Sequence, residues 1–218
     1  MMPTITELFA LLLMSGLAAG CSQSDSVDSE NIDSKSVEAG PDPTYLSANA
    51  RKIGCSIAST FVTAEFDKSD KPIVLTDPGE RDFALMTRDE AAGLFTYLIE
   101  GDEGDPYSDT IRGRSEAFLT LNTEGVIRQC HALSKINEER SFSPDPSQEV
   151  PRLTPDGLFY EYDTLIVSMP LVDLERGQAF MWIGHGCGPL CGETGIEIFT
   201  RQTDGDWIRT DYVGLTIS

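Results

Sequence analysis

The nine residues from Gly184 to Gly192 (GHGCGPLCG) constrain this chain more than any others. Glycine and proline interrupt regular structure, and Cys187 and Cys191, with three residues between them, are close enough to cross-link over such a turn. The stretch reads as a stapled turn between strands. Gln178 to Gly184 precedes it, and Gly195 to Gln202 and Asp206 to Ile217 follow it as strand-like runs, with Asp204-Gly205 as a hairpin turn. Together with Tyr160 to Val172 these predict an antiparallel C-terminal meander. Phe180 and Trp182 fall on one face of their strand and Ile196 and Ile198 on one face of the next, as core and cross-strand partners.

Upstream, the apolar period changes. Ile53, Ile57, Ala58, Phe61 and Val62 repeat at helical spacing between Ser47 and Phe66, with Cys55 slightly off the stripe. Lys71 to Thr76 reads as a short edge strand, because Pro72 lacks a donor, and Arg81 to Met86 as another. Thr87-Arg88-Asp89-Glu90 is a capping box, followed by the stripe Ala91, Leu94, Phe95, Leu98 and Ile99 and by Gly101 as a helix stop. Glu116 to Leu121 and Val126 to Leu133 read as a hairpin joined by Asn122-Thr123-Glu124-Gly125. Ser141 to Pro155, rich in proline, reads as an irregular surface excursion. The expectation is an α+β domain, an antiparallel sheet packed with about two helices.

The N-terminus is an address. Leu8 to Leu17 is apolar but too short to cross about 30 Å of hydrocarbon, and Ala18-Ala19-Gly20 leads into Cys21. This segment resembles a bacterial lipoprotein signal. The resemblance implies cleavage before Cys21, acylation of that cysteine and, with Ser22 after it, anchoring in an outer membrane on the periplasmic side. Ser22 to Pro43 is serine-rich and acidic with few residues to bury, so it reads as a tether reaching roughly 25 Å. The expected organisation is a signal at 1–20, a lipid-anchored tether at 21–43 and one domain at 44–218. The segment Gln178 to Trp207, with its CG-x-LCG run and Gly-x-Trp turn, resembles a C-terminal module of uncharacterised secreted and lipoprotein families. That resemblance implies an extracytoplasmic meander and no particular chemistry.

The chain has 5 cysteines. Lipidation uses Cys21, and the even remainder in an oxidising compartment favours two disulfides, for which three pairings exist. Spacing prefers Cys187 with Cys191, leaving Cys55 with Cys130. Chain entropy assigns roughly 4 to 4.5 kcal/mol to the long loop and about 2 to the short one.

With 36 acidic against 16 basic side chains, the formal charge of -20 opposes nucleic acid and anionic lipid. It suits a cationic ligand or a basic protein surface in the envelope. Asp102, Glu103, Asp105 and Asp109 gather oxygen donors of the kind calcium takes, but at no EF-hand spacing; a solvated loop is the simpler reading. The sequence has no Gly-x-Ser-x-Gly, Ser-x-x-Lys, phosphate loop or His-Glu-x-x-His, and no cofactor or catalytic residue is assigned. Cys130 and His131, as neighbours on a strand, point to opposite faces and do not pair. Glu161 and Asp163, two apart on a strand, face one way, a coincidence expected of an acidic chain. The functional expectation is a non-catalytic accessory or binding module. Its rivals are metal handling or thiol exchange at His185, Cys187 and Cys191, or a hydrolase whose site is assembled from distant residues.

Overall fold

A computed structural model describes residues 44–78, 88–100, 104–105, 108–144, 152–155, 157–188 and 191–217. Ser47 caps the first helix, α1 (Ala48–Lys68), its hydroxyl accepting from the Ala50 amide at 3.2 Å. Ala50, Gly54, Ile57, Ala58, Phe61 and Val62 form the buried stripe that holds α1 to the rest of the domain. Strand β1 (Ile73–Thr76) follows, then α2 (Arg88–Phe95), whose last turns widen into a π-helix over Thr96–Glu100. There the Thr96 hydroxyl donates to the Ala92 carbonyl at 2.8 Å. Thr87 and the Arg81 to Met86 run lie outside the described residues, as do Gly101 and much of the acidic loop.

The stretch read as a hairpin is helical. Helices α3 (Asp109–Leu121), α4 (Val126–Gln129) and α5 (His131–Arg140) occupy it. Ser108 caps α3, and Ile111, Arg114, Ser115, Phe118 and Leu121 bury at helical spacing. A period-two reading of Glu116 to Leu121 saw only six residues of that stripe, too few to separate the two periods. Gly125, at φ 75°, turns the chain between α3 and α4, and Asp77 Oδ1 accepts from the Ile127 amide at 2.8 Å to cap the new helix. Burial raises the Asp77 carboxyl above its ordinary range, against those backbone donors. Cys130 is buried while His131 is exposed at the start of α5, so the two still point apart.

Strands β2 (Asp163–Val167), β3 (Leu171–Asp173), β4 (Gln178–Gly188), β5 (Cys191–Arg201) and β6 (Trp207–Ile217) complete the sheet, ordered β1-β2-β4-β5-β6, with β3 also on β4. All pairs are antiparallel except β1 with β2. The fold is thus α+β with a mostly antiparallel sheet, and five α-helices among the described residues. The run Tyr160 to Val172 is two strands, broken where Pro170 removes a donor. Asn122 replaces the missing ladder there, its Oδ1 accepting from the Met169 amide at 2.6 Å and its Nδ2 donating to the Met169 carbonyl at 3.3 Å. Ser168 bridges the break on the β4 side, accepting from the Trp182 amide at 2.9 Å.

Register sorts the sheet's side chains. Leu165, Val167, Met181, Ile183, Glu197, Phe199 and Tyr212 share one face; Leu171, Phe180, Trp182, Ile196 and Ile198 share the other. Phe61 of α1 meets Phe199 edge-on at 6.3 Å on the first face. Phe95 of α2 meets Phe180 at 5.7 Å and Phe118 of α3 at 5.6 Å on the second. Helices therefore cover both faces. Among the described residues no helix is long and apolar enough to cross a membrane.

Candidate binding cleft

The four remaining cysteines pair as the spacing predicts: Cys55 with Cys130, Cα atoms 5.3 Å apart, and Cys187 with Cys191, 5.1 Å apart. The first ties α1 to the junction of α4 and α5. The second closes the β4–β5 hairpin beside a register shift between Gly186 and Gly188. Strand pairing runs almost to the tip, so the stapled turn is shorter than its glycines suggest, and Pro189 and Leu190 lie outside the described residues. Both thiols are consumed in this oxidised form and hold no proton or metal. Among the described residues no group of three or more His, Cys, Asp or Glu side chains is placed to hold a metal ion. Cys21 lies outside the described residues.

Two cavities open on the α1 face of the sheet, on either side of its last turns. The larger, about 540 Å³, lies between α1 and the β5–β6 hairpin, with Phe61, Phe199 and Trp207 as its apolar walls and Glu65, Lys68 and Arg209 as its charged ones. That volume falls within the range of about 300–1,000 Å³ common for small-molecule sites. The smaller, about 240 Å³, is bounded by β1, β2 and β4 and includes Asp163 and His185. Glu65 and Lys68 line both, so one turn of helix divides them.

Behind the larger cavity sits Glu197, 1% exposed. It stands opposite Met181 on β4 and Tyr212 on β6, under α1. Its Oε2 forms an ion pair with Arg209 Nε, from a side chain 46% exposed that also lines the cavity. Burial pushes the Glu197 carboxyl up to about 7; Arg209 pulls it down, Glu65 adds a smaller upward push and Lys68 a smaller downward one. Next to it, the Tyr212 hydroxyl is buried and has no hydrogen-bond partner among the described residues, and its ring lies where a Cβ on Gly195 would fall. Burial raises the Tyr212 phenol as well, helped by Glu193 and Glu197. At the mouth, Glu65 Oε1 accepts from Lys68 Nζ at 2.8 Å; Glu65 is 17% exposed and Lys68 63%.

His185 stands opposite Glu193 and faces the smaller cavity, close in sequence to the disulfide but on the α1 side of the sheet. Glu161 is exposed and precedes the strand, whereas Asp163 is half-buried and paired with Lys71 at 3.5 Å, so they do not act as a pair. Sequence reasoning missed Glu197. Lying between Ile196 and Ile198, it looks like the outward residue of an alternating strand, and that signal fails when helices cover both faces. Comparison with family models, curated proteins and solved structures finds no match to this chain.

Proposed function

We propose that this chain is an envelope lipoprotein, anchored through an acylated Cys21, whose folded part is a non-catalytic binding module with its ligand seat between α1 and the β5–β6 hairpin. The observation that carries the binding reading is the open cavity of about 540 Å³, walled by aromatic rings and charged groups. The titratable group nearest to catalytic character, Glu197, is buried, ion-paired with Arg209 and not among the residues that line the cavity. This favours binding over turnover. The resemblance of Leu8 to Cys21 to a lipoprotein signal and the two disulfides support the extracytoplasmic setting.

A thermal-shift panel of small cationic, anionic and neutral solutes tests the reading. Ligand at 100 times its dissociation constant adds about 2.7 kcal/mol, or roughly 5–10 °C in a domain of this size. At least one class should do so in the wild type and fail in Ala64→Phe, which fills the cavity. Equal shifts in both proteins, or none at all, contradict it. Loss of palmitate labelling in Cys21→Ala checks the anchor.

A further inference from the structure

Three features of the larger cavity bear on what it holds. Its walls at Phe61, Phe199 and Trp207 suit an apolar or aromatic body. Its two cations are unequal: Arg209 is committed to the buried Glu197, and withdrawing it would leave that carboxylate buried without its ion pair. Lys68 is largely exposed and holds Glu65 by a surface pair, which contributes little and exchanges readily. When Lys68 swings away, the charge left at the mouth is the Glu65 carboxylate, with Asp206 on the opposite rim. The chain's -20 charge adds a field that concentrates cations near such a site and depletes anions.

Resting on the binding reading above, we propose that the cleft between α1 and β6 takes a small organic cation, a primary ammonium on an apolar body, with the ammonium on Glu65 in place of Lys68. The body lies against Trp207, Phe61 and Phe199. The bound ammonium adds a positive charge at that end of the cleft, because the displaced Lys68, which already offsets part of the push of Glu65 on Glu197, stays on the same turn of α1. Binding therefore favours the ionised form of Glu197, releases protons near neutral pH and tightens as pH rises. Arg209 on β6 and Glu65 and Lys68 on α1 are the charged groups that act on this carboxyl, and Met181 of β4 and Tyr212 of β6 stand opposite it in the sheet.

The test uses 2-phenylethylamine, still an ammonium between pH 6 and 8, against its anionic and neutral counterparts phenylacetate and 2-phenylethanol. Binding to the full folded region is followed by Trp207 emission, with Trp207→Phe as the signal control, and by calorimetry in buffers of different ionisation enthalpy. The expected result is saturable binding of the amine, weaker by about fivefold in Glu65→Gln. Affinity should rise several-fold from pH 6 to 8 and fall with added salt, and Glu197→Gln should remove the pH dependence while still binding. Circular dichroism confirms that both variants fold. Tighter binding of phenylacetate would leave the binding module standing and overturn the cationic ligand. Amine binding that ignores Glu65→Gln overturns the assigned seat. If none of the three probes binds, the organic-cation proposal fails, and Ala64→Phe in the solute panel decides separately whether the cavity binds anything.

Discussion

The two halves of α1 have opposite surroundings. Its N-terminal half is tied down on its buried side: Cys55 is bonded to Cys130, and Gly54 lies so close to the β2–β3 break that a Cβ would come 3.2 Å from the Pro170 carbonyl oxygen. Just before it, Tyr45 joins a buried cluster in which Arg114 Nε donates to the tyrosine oxygen at 2.8 Å and Arg114 Nη2 to Asp173 at 3.1 Å. The rest of the helix, from Ser56 to Lys68, borders the two cavities described above and ends in an exposed ion pair. A helix held rigidly at one end can present the other as a wall. The difference teaches that stability and binding surface are divided along one element, the first secured by covalent and buried polar ties, the second left open.

Breaking the fixed half should cost most. Cys55→Ser with Cys130→Ser opens a loop with a sequence separation of 75 and should remove about 4 kcal/mol, seen as a lower urea midpoint. Arg114→Met leaves the buried Asp173 with the Tyr45 hydroxyl at 3.4 Å, the Arg176 amide and a guanidinium 4.0 Å away, but without its buried ion pair; a loss of about 3 kcal/mol is expected in the same assay.

The open half should respond to pH instead. The Glu197 carboxyl titrates higher in the fold than the ordinary 4.5, so the folded state binds the extra proton between about 4.5 and 7. Wild-type stability is therefore greatest below that window, declines through it and levels off above 7. Glu197→Gln should lack the decline and exceed the wild type at pH 8 by roughly 1–3 kcal/mol, the gap closing below about pH 5. Thermal melts across that range read it directly. The smallest effect belongs to the hairpin tip. Replacing Cys187 and Cys191 by serine should cost no more than about 2 kcal/mol, and mild reductant with alkylation should open this half-buried bridge before the one at buried Cys130.

Much of the fixed half was legible in the sequence. The α1 stripe, the strands of the meander, the Asp204-Gly205 turn and the Cys187–Cys191 bridge follow from spacing, because each is a local pattern, and the Cys55–Cys130 bridge follows only as the pairing left over. The helices over Asp109 to Arg140 were not, since their short apolar runs fit either period and Gly125 serves a helix–helix turn as well as a hairpin. The parallel pairing of β1 with β2 joins segments about ninety residues apart and leaves no local mark. The cleft was least legible. It depends on α1 lying over Glu197 and on Arg209 reaching back to it across a strand pair, both tertiary facts.

The most direct measurement is the titration of the Glu197 side-chain carboxyl by carbon-13 NMR, assigned with Glu197→Gln, with and without 2-phenylethylamine. A midpoint near 7 that moves down when the amine is added is the predicted result. A midpoint near 4.5 that the amine leaves unmoved would contradict the account of a buried carboxylate poised beneath a cation-binding cleft.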